Sequence, residues 1–298
     1  MEKVAIIGVG NFGSAIQHLL SSSASHTLAL WDADESKVSG QASLAETVQG
    51  ANSIFLCVSS WALRDAASSI AEYLTKDAVV ICPTKGIEQS TLNTSDEVLQ
   101  SVLQEKAHVA LLHGPMLATE IMQDFPAFSV LATSSQEMYE NVASLFLGTK
   151  LHLEYSSDLH GVALAGVLKN IYSIGLGMTE ALNLGSNFRG WFVRSAIAEM
   201  NQIIVALGGS STTAHTSAGI ADMVATGFSP YSRNCKVGHE IVQSGECMTV
   251  SEGAESLPQM MELLTRSSIG APLVSKIGDI VSGNVSAGTL DEVVNMVL

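Results

Sequence analysis

The chain has 298 residues, 47% of them hydrophobic and only 14% charged, and 14 Lys and Arg against 29 Asp and Glu leave a net charge of −15. That length carries two domains with a large core, while the acidic balance excludes nucleic acid and an anionic membrane surface as main partners. A surface so sparing of charge suits partial burial between subunits, and a homodimer is expected.

Cys57, Cys82, Cys235 and Cys247 show no Cys-x-x-Cys spacing. They read as thiols of a reducing compartment, and no metal centre is expected. Met1 leads straight into an apolar run, so no signal peptide is expected. The longest uncharged stretch, Met200–Ala221, is broken by Gly208-Gly209 and rich in Ser and Thr. No membrane span is therefore expected, and the protein is placed in the cytoplasm.

In chain order, the β-branched run Val4–Ile7 predicts a strand, followed by Gly8-Val9-Gly10-Asn11-Phe12-Gly13 and a helical pattern over Ser14–Ser22. A second apolar run, Leu28–Trp31, ends on Asp32, about twenty residues past the last glycine. Strand, glycine loop, helix, strand and acid in this order form the dinucleotide-binding fingerprint. Gly8 permits the tight turn, Gly10 lets the backbone approach a pyrophosphate, and Gly13 lets helix and strand pack closely. Asn11 and Phe12, within the loop, are taken with the cofactor, and the N-terminal N–H groups and partial positive charge of the helix that follows face the phosphates. Asp32 can accept hydrogen bonds from an adenosine ribose. It would repel a 2′-phosphate, and Trp31–Glu35 holds no Arg or Lys, so NAD is the expected cofactor. NADP stays possible, since Lys37 could fold back.

Further strands are predicted at Ser53–Val58, Ala78–Cys82, His108–Leu112, Phe128–Ala132 and Leu151–Tyr155, with helices at Trp61–Tyr73 and Thr94–Leu103. Apolar strands alternating with helices indicate a parallel sheet covered on both faces. Residues 1–157 thus read as an α/β, Rossmann-type doubly wound domain. Ligands of such sheets bind beyond the carboxyl ends of the strands, which singles out Ser59-Ser60-Trp61, Pro83-Thr84-Lys85-Gly86 and His113-Gly114-Pro115-Met116. Lys85 is either aimed at the cofactor edge or an ordinary loop lysine in solvent.

From Leu159 strand signals fade. Helices are predicted at Leu159–Leu182, Trp191–Leu207, Ala254–Leu264, Pro272–Ser282 and Leu290–Leu298, making 158–298 an all-α domain. Lys169-Asn170 is the strongly polar pair in the apolar first helix, and Lys169 either snorkels to the surface or sits in a cleft for chemistry. Asp222 and Thr226, at i and i+4, would share a helix face, unless Asp222 is a surface acid. Arg233-Asn234, after a proline turn, could offer a fork of donors to a phosphate or only a surface salt bridge.

The chain resembles the NAD(P)-dependent glycerol-3-phosphate dehydrogenases over almost its whole length. The matching pieces are the glycine motif, Thr84-Lys85-Gly86-Ile87-Glu88, Gly114-Pro115, Leu168-Lys169-Asn170, Ala198-Glu199-Met200, Gly219 to Asp222 and Ser232 to Asn234. The resemblance implies interconversion of dihydroxyacetone phosphate and sn-glycerol 3-phosphate by hydride transfer, with a small anionic phosphorylated substrate. It implies Lys169 as the catalytic acid/base, with Lys85 and Asp222 lining the reaction site and Thr226 supporting it. Ser232, Arg233 and Asn234 would hold the phosphate. Arg233, Val250 and Glu252 would reach the cofactor. Gly114, Met116 and Asn170 are taken with the substrate, and Ser59 with the cofactor.

Four features depart from the family pattern. Met116 stands where Ser is common, Val58-Ser59-Ser60 replaces Val-Pro-Ser, and Gly227-Phe228 follows Thr226 in place of a small or polar pair. The Arg of many NADP users is missing near Trp31-Asp32-Ala33-Asp34. Because Met116 and Gly227-Phe228 border the expected pocket, the alternative is a related reductase of another small anionic ketone, a phosphonate or carboxylate. A third reading, a cofactor-binding sensor without turnover, conflicts with intact Lys169, Asp222 and Arg233.

Overall fold

A computed structural model of the chain describes residues 2–21 and 26–293. The apolar runs become seven strands, β1 (Glu2–Ile7), β2 (His26–Trp31), β3 (Ser53–Leu56), β4 (Val79–Cys82), β5 (His108–His113), β6 (Ala127–Ala132) and β7 (Leu151–Ser156). They join one sheet in the order β2-β1-β3-β4-β5-β6-β7. β3 and β4 are buried at every residue, as strands covered on both faces must be. Pairing is parallel from β2 to β5, but β6 runs antiparallel to β5, with Leu112 opposite Leu131, and β7 follows β6 in parallel. The uniformly parallel sheet is thus corrected at its far edge. A parallel return needs a long crossover, usually a full helix, and the β5–β6 connection carries only a four-residue one.

Helices α1 (Asn11–Leu20), α2 (Leu44–Val48), α3 (Leu63–Ile70), α4 (Ser95–Leu103), α5 (Ala118–Ile121) and α6 (Gln136–Ser144) accompany the strands. Ile6, Ile16, Phe55, Ile81, Leu112 and Leu131 belong to one apolar cluster, in which Phe55 meets Phe146 edge-on at 5.9 Å.

By internal contacts the chain falls into two units, Met1–Lys85 with Asn93–His160, and Gly86–Leu92 with Gly161–Leu298. The second is helical: α7 (Leu159–Ala181), α8 (Gly185–Ala206), α9 (Asp222–Gly227), α10 (Arg233–Ser244), α11 (Glu252–Arg266) and α12 (Pro272–Val281). Every residue of α7 from Gly161 to Thr179 is buried, the mark of a helix at the centre of a core. α7 is long and apolar enough to cross a membrane, but its apolar window is wholly enclosed by the protein. Gly177 and Gly238 let α7 and α10 meet backbone to backbone: a Cβ at Gly177 would overlap the Cys235 carbonyl, and one at Gly238 the Ile174 carbonyl.

A buried carboxylate ties three helices. Tyr172 Oη of α7 donates to Glu199 Oε1 of α8 at 3.0 Å, and the carboxylate accepts the Leu273 and Val274 N–H groups of α12 at 2.8 and 3.0 Å. Burial pushes the Glu199 carboxyl up, and those hydrogen bonds recover only part of the shift. The expected helix over 290–298 is instead a 3₁₀ segment, Ala287–Val293, and positions 294–298 lie outside the described residues.

In the sheet unit, His160 Nδ1 donates to Asp96 Oδ2 at 3.2 Å, at the N-terminal turn of α4. The hydrogen bond to Asp96 raises His160 above its ordinary 6.5 against the opposing effect of burial. Burial alone would raise Asp96, but hydrogen bonds from His160 and Thr94 outweigh it and hold the carboxyl below 3.8. The stabilisation is therefore complete between 3.8 and 6.5. It fades below that window as Asp96 takes up a proton, and above it as pH climbs through the raised His160 value. Thermal unfolding of wild type and His160→Gln should differ most between pH 3.8 and 6.5 and converge as pH climbs past the raised His160 value. A gap that widens with rising pH would contradict the pairing.

Candidate active site

The glycine turn of the sheet unit is built as a dinucleotide cradle. Gly8 has φ +92° and its missing Cβ would stand 2.5 Å from the Cys57 carbonyl oxygen, while a Cβ at Gly13 would overlap the Gly8 carbonyl. Only glycine permits that turn and that approach of α1. At Gly10 the space is open. Gly10 is also the N-cap of α1, without a side-chain cap or an acid in the first turn, so the N–H groups around Asn11 and Phe12 present their partial charge to an anion. A cleft of about 540 Å³ opens here, bounded among others by Gly8, Gly10, Asp32, Lys37 and Ser59. Open N–H groups, close backbone approach and adequate volume fit a nicotinamide dinucleotide.

The Asp32 carboxylate is already engaged within the chain. Its Oδ2 accepts the Val9 N–H at 2.7 Å and its Oδ1 the Asp34 N–H at 2.9 Å. The Gln41 carboxamide grips its backbone on both sides at 2.9 Å, and Lys37 Nζ lies 3.3 Å from each carboxylate oxygen. Sequence reading missed Gln41, for which no local pattern gives a sign. Lys37 does fold back on Asp32.

The three strand-end loops are laced together. Thr84 Oγ1 donates to the Val58 carbonyl at 2.6 Å, His113 Nε2 to the Thr84 carbonyl at 3.2 Å, and Lys85 Nζ to the Gly114 carbonyl at 3.3 Å. Lys85 is half-buried, not a free loop lysine. Gly114 has no room for a Cβ against the Phe128 backbone. Met116 is buried within the apolar cluster of the sheet unit. Ser59 caps a short 3₁₀ turn, Ser60–Ala62.

In the helical unit, Lys169 does not snorkel. It is 5% exposed, and its Nζ lies 3.1 Å from Asp222 Oδ1 and 2.9 Å from Thr226 Oγ1. Thr226 in turn donates to Asp222 Oδ1 at 3.1 Å, and the two are 5% and 2% exposed. The i and i+4 spacing puts both on one face of α9, as expected. A π-turn, Ser217–Ala221, leads into that helix, a distortion common at functional sites. Gly227 is a packing residue, because a Cβ would collide with Leu176 of α7.

Next along α7, Asn170 Oδ1 accepts from Asn234 Nδ2 at 2.8 Å, and Asn234 Oδ1 accepts the Gly253 N–H at 3.0 Å. This fastens the segment bearing Val250 and Glu252 beside the start of α10. Ser232 caps that helix through the Cys235 N–H at 3.1 Å, and Arg233, its first residue, is exposed. Val250 is exposed, and Glu252 opens α11.

A dinucleotide sheet joined to a helical unit with a buried, hydrogen-bonded lysine defines a nicotinamide-dependent dehydrogenase. Residues 35–139 match the family model of the NAD-dependent glycerol-3-phosphate dehydrogenase N-terminus, and residues 158–291 that of its C-terminus. The glycerol-3-phosphate dehydrogenase [NAD(P)+] of Pseudomonas entomophila is 31% identical over 283 residues, spanning 88% of this chain and 81% of its own length. That of Rhizobium etli is 29% identical over 309 residues, spanning 95% and 94%. The crystal structure of glycerol-3-phosphate dehydrogenase from Coxiella burnetii has the same fold, with a TM-score of 0.90 at 22% identity over 98% of both chains. The chain belongs to the NAD-dependent glycerol-3-phosphate dehydrogenase family.

With Lys37 beside Asp32, the adenosine end of the cleft is less hostile to a 2′-phosphate than Asp32 alone would make it. Lys37→Ala should weaken NADPH binding severalfold more than NADH binding in fluorescence titrations. Equal changes for the two would separate Lys37 from cofactor choice.

Proposed function

We propose that the chain interconverts dihydroxyacetone phosphate and sn-glycerol 3-phosphate, acting in the cytoplasm as a homodimer with NAD preferred over NADP. The observation that carries this reading is the buried triangle of Lys169, Asp222 and Thr226. Gly8, Gly10, Asn11, Phe12, Gly13, Asp32 and Ser59 would hold the dinucleotide, whose nicotinamide, when bound, supplies the hydride for the ketone carbon or takes it back from the alcohol. As charge develops on the ketone oxygen, the Lys169 ammonium stabilises it and donates the proton; in the reverse direction the amine takes the proton away. Asp222 and Thr226 fix the ammonium in place, and their burial keeps the electrostatic gain undiluted by water. Lys85, held by the Gly114 carbonyl, adds a second cation at the strand ends.

Arg233 stands at the N-terminus of a twelve-residue helix, where guanidinium and helix dipole both favour a phosphate. Asn234 is engaged by Asn170 and Gly253, so it shapes this corner while Ser232 and Arg233 meet the anion. Gripping the remote phosphate aligns the reacting carbon. Met116 packs into the core and Gly227 against Leu176. Met116 and Gly227 thus have packing causes, which favours the phosphorylated ketone over a phosphonate or carboxylate analogue.

Lys169→Met should fold and bind NADH, yet lose about a hundredfold to ten-thousandfold in turnover, together with the basic limb of the pH–rate profile. Retention of more than about a tenth of wild-type turnover would remove Lys169 from the acid/base role. Arg233→Ala should lower kcat/KM for dihydroxyacetone phosphate by about ten- to a hundredfold, the worth of a charge-assisted hydrogen bond, with little change for unphosphorylated dihydroxyacetone. Equal losses for both ketones would assign Arg233 to the fold or the cofactor.

A further inference from the structure

α7 and α10 are pressed together where Gly177 faces Cys235 and Gly238 faces Ile174. One turn beyond Gly177, Glu180 reaches toward α10, whose Cys235 and His239 stand at i and i+4 on one face. Glu180 Oε2 lies 4.0 Å from Cys235 Sγ and 3.2 Å from His239 Nε2, and the three atoms all fall within 4.8 Å of one another. They border a cavity of about 610 Å³ that Phe228 and Lys236 also line. We infer that Glu180, Cys235 and His239 form a binding site for a divalent zinc-class metal ion, with water completing a tetrahedral shell.

The donor set is one thiol, one imidazole and one carboxylate. Sulfur and nitrogen select zinc-class ions, whereas magnesium and calcium want oxygen alone. Bond lengths of about 2.3 Å to sulfur and about 2.1 Å to nitrogen and oxygen place neighbouring ligand atoms of a tetrahedral zinc about 3.3–3.6 Å apart. The observed 3.2 and 4.0 Å from Glu180 need shifts of only a few tenths of an ångström, and the thiol and imidazole, within 4.8 Å of each other, draw together by at most about 1.2 Å on binding. Three protein ligands with one open position is a recurring zinc arrangement. The site is also pre-built, because the glycine contacts leave the two helix backbones no room to slide. Cys235 is buried, but the His239 and Glu180 side chains are 32% and 48% exposed, so an ion can enter from the cavity. Lys236, the cation on the cavity wall, is paired with Glu240 at 3.7 Å. A bound ion would staple the end of the helix that carries Lys169 to the first turns of the helix that Ser232 and Arg233 open.

The test is titration of the full-length, metal-free protein with cobalt(II), followed by displacement with zinc. One equivalent should give a thiolate-to-cobalt charge-transfer band with tetrahedral ligand-field absorption, and release protons as the thiol ionises. Zinc should erase the spectrum and raise the Tm. Cys235→Ser should lose the sulfur band. His239→Gln, a partly exposed position that tolerates change, should bind cobalt at least tenfold more weakly. The site is overturned if the wild type gives no sulfur band, or if the band survives in Cys235→Ser. It is equally overturned if His239→Gln binds as tightly as the wild type. Should Cys235→Ser fail to fold, the His239→Gln titration decides alone.

Discussion

A positive charge inside an apolar helix sets the terms for the helical unit. α7 is buried along its length, and Lys169 sits near its middle with an ammonium that would cost several kcal/mol to strip of water unaided. Asp222 and Thr226 offset that cost, and the local irregularities around them serve the delivery of those two side chains. The π-turn before α9 brings Asp222 into line, and Gly219 leaves space for the Ala214 carbonyl. Gly227 lets the end of α9 lie flat on Leu176. Removing Asp222 would take the carboxylate from a buried ammonium, a loss of about 3–5 kcal/mol where such pairs have been broken, so the fold itself requires this pair.

The same helix is held in register by contacts that do no chemistry. Tyr172 and Glu199 connect it to α8 and to the first N–H groups of α12, and Gly177 and Gly238 bring it onto α10. Each is a backbone or buried-carboxylate contact that tolerates almost no displacement. The acid/base role proposed for Lys169 requires its ammonium to sit within a fraction of an ångström of its target. In an acidic protein, a few cations kept in fixed places also concentrate the attraction for an anion.

What could be read from the chain follows from how local each signal is. Gly8, Gly10 and Gly13 lie in one short loop, β3 and β4 are uninterrupted apolar runs, and α7 is one long apolar stretch, so all were legible. Asp222 and Thr226 were legible as a pair because helical spacing alone unites them. The reversal of β6 was not, since strand direction depends on a connection whose single helical turn carries no strong pattern. Nor was the inward turn of Asp32 toward Val9, because a carboxylate that meets a backbone N–H looks the same in sequence as one that awaits a ribose. The pairing of Asn234 with Asn170, and the meeting of Glu180 with Cys235 and His239, join segments far apart in the chain. Lys169 lay between: its apolar setting could be read, but only the folded chain distinguishes a paired ammonium from one that reaches solvent.

The hold of Asp32 on the glycine turn constrains anyone who would redesign cofactor choice. The usual exchange of this acid for a small or basic residue would remove a charge that opposes a phosphate, but it would also remove the acceptor that fastens Val9 in the glycine turn. The turn would then loosen for either dinucleotide, and a gain in selectivity would arrive with a loss of grip. Ala33 borders the same cleft and has no side-chain tie to the turn, so a change there would act on the preference while leaving the Asp32–Val9 contact in place.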